Sequence, residues 1–105
     1  MAVAEVFRAL GDPVRLEMVR RLSRPEGKPC TIAEVSSGLG ITRQGARKHL
    51  QVLVDARLAE LEPSGRDVLV RLDTESLQQA RTYLAEIERQ WDTRLAALRR
   101  LVEEE

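Results

Sequence analysis

The stretch GITRQGARKHLQVL, Gly40 to Leu53, puts Arg43, Gln44, Arg47, Lys48 and Gln51 on one side of a helix and Ala46, Leu50 and Leu53 on the other. Thr42 stands where it can cap that helix, which is predicted from Arg43 to about Arg57. Any surface helix has a polar face, so its neighbours must give this one a meaning. Just upstream, TIAEVSSGLG opens with Thr31 and Glu34 at capping-box spacing. Ile32, Val35 and Leu39 are expected to face inward from that short helix, and Gly38 and Gly40 permit a sharp turn after it. A short capped helix, a glycine turn and a second capped helix spell a helix-turn-helix. The same arrangement also occurs in helix pairs that bind no nucleic acid.

Two further helices precede this pair. AVAEVFRAL carries Val3, Val6, Phe7 and Leu10 at helical spacing and is ended by Gly11. Asp12 then caps a second helix with Pro13 at its first position, where a missing N–H costs nothing. Val14, Met18, Val19 and Leu22 form its buried side, and SRPEGKP follows as a loop. After Leu58 the period shortens to two. Val68, Val70 and Leu72 alternate, and PSGR supplies a turn between two short extended runs. A two-stranded ribbon directly after the helix pair is where a winged helix carries its wing. From about Thr74 to the terminus, Leu77, Ala80, Leu84, Ile87, Trp91, Leu95, Leu98 and Val102 step by threes and fours without a Gly or Pro. This stripe is longer than the remaining elements can cover, so it reads as a surface that pairs with its counterpart in a second chain. The alternative is a helix lying wholly against its own domain.

The 105 residues fit one domain, 43% hydrophobic and 32% charged, with Phe7, Tyr83 and Trp91 as the aromatic residues. No apolar run approaches a membrane span, the N-terminus has no signal-peptide pattern, and Cys30 is the single cysteine. A cytoplasmic, reducing location is therefore expected, without a membrane partner. Net charge is zero but unevenly spread. Residues 36–57 hold Arg43, Arg47, Lys48 and Arg57 against Asp55, whereas residues 73–105 hold five arginines against eight acids. A basic centre with an acidic tail suits one surface that meets a polyanion.

A helix fits the DNA major groove and reaches base edges with its N-terminal residues. Arg43 can fork onto guanine and Gln44 onto adenine, while Arg47 and Lys48 can serve a base or a phosphate. Gly45 and Ala46 leave room for close approach, and Thr42 can offer a hydroxyl or N–H to a phosphate. Arg66 at the ribbon tip is a candidate minor-groove or phosphate contact, the alternative being an ordinary exposed hairpin arginine, with Asp67 beside it unfavourable and Arg71 weaker. His49 is open to three readings: a boundary residue that packs, a phosphate contact, or a metal ligand. Cys30 is by default a small, partly buried residue; a reactive thiol and a share in a metal site are the alternatives. No nucleophile with a nearby base, no Gly-rich phosphate cradle and no paired carboxylates outside solvated helix faces are present, so no enzyme activity, cofactor or metal is expected.

VFRALGDPVRLEMVRRL, TIAEVSSGLGITRQGARKHLQVLVDARLAE and the SGR hairpin together resemble the ArsR/SmtB family of bacterial winged-helix repressors, along nearly the whole chain. ALGDPVRL and RKHLQVL are the most specific elements of the likeness. The resemblance implies a mainly α fold with a small β-hairpin, a winged helix-turn-helix dimerised through its first and last helices. It implies one domain over 1–105, with 74–105 a long dimerisation helix, and repression of transcription until an effector releases the DNA. It puts Thr42, Arg43, Gln44, Arg47, Lys48, His49 and Arg66 on positions that meet double-stranded DNA. Val3, Val6, Phe7, Leu84, Ile87, Trp91, Leu95 and Leu98 then fall in the dimer interface. Metal-sensing members carry paired cysteines near the third helix or His ligands on the last, and here KPCTIAEV has Cys30 alone and residues 74–105 have no His. The metal effector therefore does not transfer. A homodimeric regulator on an inverted-repeat operator is the leading reading; a winged-helix protein-interaction module that touches no DNA is the alternative. A thiol-switched repressor acting through Cys30 is a third.

Overall fold

A computed structural model describes residues 3–104. Helices α1 (Val3–Leu10) and α2 (Pro13–Leu22) are followed by strand β1 (Cys30–Thr31), then α3 (Ile32–Ser36) and α4 (Arg43–Asp55). Strands β2 (Ala59–Ser64) and β3 (Asp67–Leu72) form the hairpin, and α5 runs from Glu75 to Glu103. The expected reach of the first helix to Ala2 and of the last to Glu105 lies outside the described residues.

Local chemistry sets the helix ends. The Asp12 carboxylate accepts the N–H groups of Val14 at 2.8 Å and Arg15 at 3.2 Å, starting α2. The bond from the Arg15 N–H leads the effects that hold the Asp12 carboxyl below its usual pKa. The Thr31–Glu34 capping box is complete, at 3.1 and 2.9 Å. Gly38 and Gly40 take φ of +75° and +70°, which a side chain would strain, and so turn the chain between α3 and α4. The end of α4 is less expected. Leu58 N–H donates to the Leu53 carbonyl and Arg57 N–H to that of Val54, a Schellman motif with an arginine at the left-handed position, φ +57°. Leu53 and Leu58, the apolar pair of that motif, are both fully buried.

The sheet differs from the expected two-stranded ribbon. It has three antiparallel strands in the order β1–β3–β2, with Cys30 opposite Val70 and Ser64 opposite Asp67. Two residues are too few for a period, so β1 had no local signal; its pairing comes from β3, forty residues away in the chain. Pairing also buries Cys30 completely rather than partly, among apolar neighbours where a thiol is inert.

One core joins these pieces. Val6 and Ala9 from α1, Met18, Val19 and Leu22 from α2, Val35 from α3 and Ala46, Leu50 and Leu53 from α4 are buried together with Leu58 and Val70. Val6, assigned above to a dimer interface, is wholly buried within its own chain and has no surface left for a partner. Ala9, which the apolar spacing passed over, is buried beside it on the same helix. Helix α5 is anchored only at its start, where the Ser76 hydroxyl donates to the Ala56 carbonyl at 2.7 Å and Ala80 is buried. Every described residue after Ala80 is exposed. A helix of 29 residues spans about 43 Å at the α-helical rise. The chain accordingly extends 70 Å, and its radius of gyration is 18.6 Å, against about 13 Å for a compact chain of this length.

A polar brace on α2 fixes the helix pair. Arg21 Nη1 donates to the carbonyls of Val35 at 3.2 Å and Ser37 at 2.7 Å, at the end of α3. Glu17 Oε2 accepts Arg21 Nε at 3.0 Å and Arg20 Nη2 at 2.6 Å. The bonds from Arg20 first, then Arg21, lower the Glu17 pKa from 4.5 to about 2. A carboxylate whose pKa is lower folded than unfolded adds stability above its unfolded pKa and loses it as pH falls through the folded one. Stability carried by Glu17 should therefore be intact above pH 4.5 and gone near pH 2. Thermal melts of E17Q and the unmodified protein should differ at neutral pH and converge at the acid end of that window; equal melts at all pH values would remove the brace from the account.

Candidate nucleic-acid interface

The inner face of α4 packs Ala46, Leu50 and Leu53 into the core, which leaves Arg43, Gln44, Arg47, Lys48 and Gln51 exposed on the opposite face. Its start is fixed by Thr42, whose Oγ1 accepts the Gly45 N–H at 2.9 Å. The hydroxyl hydrogen remains available to an acceptor outside the helix. Gly45 has a local reason besides close approach to a groove: a Cβ there would lie 3.2 Å from Thr42 Oγ1 and crowd the cap.

The hairpin turns at Gly65 and Arg66, with Gly65 at φ +60°, which the first position of so tight a turn demands. Its tip faces the helix pair across a groove of about 490 Å³ lined by Thr31 and Ser36, Arg43 and Arg47, and Arg66 and Asp67. Arginines 43 and 47 from the helix and 66 from the wing, distant in sequence, thus share one concave surface. Among the described residues none of Arg43, Arg47, Lys48 or Arg66 lies in an ion pair, so their charge is not neutralised by the protein itself. Asp67 is the single acid lining the groove. Arg71 is instead tied to Glu62 at 3.0 Å, and Gln51 donates to Asp55 at 2.8 Å. Gln44 and Lys48 lie on the exposed face of α4 but not in the groove.

His49 sits at the boundary of that face, half-buried, with Nδ1 3.1 Å from Arg15 Nη1 on α2. Its partner is a side chain from another helix. Neither Arg15 nor Arg21 was singled out from sequence, because one arginine among many on a helix carries no mark of which carbonyl or ring it will meet. Among the described residues no three His, Cys, Asp or Glu side chains gather as a metal-ion site. Among the described residues no helix is long and apolar enough to cross a membrane.

A helix pair packed by its inner faces, a cationic outer helix and a hairpin wing beside it define a winged helix-turn-helix. A family model described as a helix-turn-helix domain matches residues 10–62. An ArsR-like transcriptional regulator from Rhodococcus sp. RHA1 is similar at 31% identity and a TM-score of 0.75, covering 94% of this chain and 91% of that one. A second solved structure, of an ArsR family transcriptional regulator, has 27% identity and a TM-score of 0.76 over 85% of this chain and 89% of that one. The transcriptional repressor BigR from Xylella fastidiosa shares the fold, at 23% identity and a TM-score of 0.60 over 76% of this chain and 80% of its own. No curated protein sequence matches the chain. This chain belongs to the ArsR/SmtB-type winged-helix regulators, which makes it a DNA-binding transcriptional regulator.

Removing the Thr42 cap leaves an N–H of α4 without its partner. Thr42→Ala should cost about 1 kcal/mol of folding stability and Thr42→Ser much less, read as a shift in urea midpoint; equal losses for both would point to packing instead of capping.

Proposed function

We propose that this chain is a homodimeric transcriptional repressor that binds an inverted-repeat operator, with α4 in the major groove and the wing on the neighbouring backbone. The observation that carries the reading is the groove shared by Arg43, Arg47 and Arg66, none of which lies in an ion pair among the described residues. In this reading Arg43 and Gln44 meet base edges and Thr42, Arg47, Lys48, His49 and Arg66 hold phosphates or support that contact. Residues 1–105 act as one domain, and 74–105 supply its dimerisation helix.

Dimerisation is supported by the stripe on α5. Leu84, Ile87, Trp91, Leu95 and Leu98 are large, apolar and exposed, and Leu101 and Val102 extend the row. Apolar side chains in a continuous exposed row on a helix mark an interface. Val3 and Phe7 of α1 stay partly exposed, and the Phe7 ring meets that of Tyr83 on α5 with centroids 5.9 Å apart. They would continue the row onto the first helix. Repression follows from occupancy, since a dimer seated on a promoter excludes polymerase. Such a role belongs in the cytoplasm.

Footprinting on DNA selected from a random pool should give two half-sites about 34–36 Å apart, or a multiple of that, related by two-fold symmetry. Sedimentation should give a dimer, and Trp91→Glu a monomer with weakened operator binding. A single asymmetric half-site held by a monomer would overturn the dimeric reading, and retention of a protein partner without DNA would favour an interaction module.

Arg43→Ala or Gln44→Ala should cost about 1–3 kcal/mol on the selected site and relax base choice. Equal losses on random DNA would reassign both to phosphate. Lys48→Ala should flatten the salt dependence by about one unit of slope, the signature of a phosphate contact.

A further inference from the structure

Arg15 lies in the first turn of α2, and its side chain is only 16% exposed. Its Nε donates to the Ala9 carbonyl at 2.7 Å and its Nη2 to the Arg8 carbonyl at 3.4 Å. Both acceptors belong to the last turn of α1, where the helix dipole favours a cation, and the Arg8 carbonyl also accepts the Gly11 N–H at 3.2 Å. Its Nη1 lies 4.0 Å from the Asp12 carboxylate and 3.1 Å from Nδ1 of His49 on α4. A guanidinium has donors and no acceptor, and it keeps its proton. The lone pair in the contact must therefore come from Nδ1, which leaves the ring neutral with its hydrogen on Nε2.

We infer that Arg15 is a positioning residue for DNA binding, which acts through His49. By holding the ring as its Nε2–H tautomer it makes His49 a neutral hydrogen-bond donor to a phosphate oxygen, next to Lys48 on the same helix. The inference rests on the proposed placement of α4 on DNA. One guanidinium thereby ties the end of α1, the start of α2 and the middle of the recognition helix together. A neutral donor displaces no counterion, so its share of affinity does not depend on salt, whereas that of a cation on phosphate does. This separates His49 and Arg15 from Lys48 by a measurement rather than by proximity.

His49 is the chain's single histidine, so imidazole nitrogen spectra of the full-length protein contain one ring. At about pH 8, above the usual histidine range, the free protein should give the Nε2–H tautomer, and Arg15→Met should lose that preference. Arg15→Lys, which keeps a cationic donor, should restore it. On the selected operator, R15M and H49A should each lower affinity roughly tenfold. The double variant should lose no more than either single one, and the salt slope should stay as in the unmodified protein. If R15M does not fold, the spectra of the unmodified protein and R15K, with H49A binding, still decide. An Nδ1–H tautomer in the unmodified protein, additive losses, or a slope lowered by about one in R15M would each overturn the role given to Arg15. A protein that binds no DNA at all would instead sink the placement of α4, a separate failure because the tautomer is read without DNA.

Discussion

The burial of Ala46, Leu50 and Leu53 fixes the rotation of α4 about its own axis, and the direction of its cations follows from that. Three side chains spaced by four and three residues occupy one side of the helix. Once they are out of water, Arg43, Gln44, Arg47 and Lys48 have only the solvent side left. The apolar interaction is without direction, yet because it acts on one face it orients the polar chemistry on the other. The wing is placed by the same core, through Val70 at the centre of β3 and Leu58 at the exit of α4.

Apolar burial sets the rotation; arginines of α2 refine the position. Arg21 reaches the carbonyls that end α3, and Arg15 reaches those that end α1 together with the ring of His49. A helix end needs partners for its last carbonyls, and α2 supplies them to two neighbours. Helix α4 is therefore held by a directional bond as well as by packing. The Schellman turn at Arg57 adds a third point of control, since it sends the chain from α4 into β2 within three residues.

Helix α5 obeys a different balance. Its first turns are attached through Ser76, Ala80 and the contact of Tyr83 with Phe7, and every described residue after Ala80 is exposed. A 29-residue helix with an exposed apolar row is not stabilised by helix propensity alone. The proposed second copy would cover it, and would at the same time set the spacing between two recognition helices.

Much of this was legible in the residues themselves. Caps at Asp12, Thr31 and Thr42, glycines at 38 and 40, the 3.6-residue period of α4 and the two-residue period of β3 are local signals, and each rests on contacts within a few positions. The cationic face of α4 was legible for the same reason. The third strand, the burial of Val6 and Cys30, and the contacts of Arg15 and Arg21 were not, because each depends on a partner far along the chain. Local sequence determines which conformation a segment can hold and which of its faces is apolar. Only the tertiary structure decides which distant atoms a side chain meets, and it alone brings Arg66 of the wing to the groove of Arg43 and Arg47, since no period relates residues that far apart.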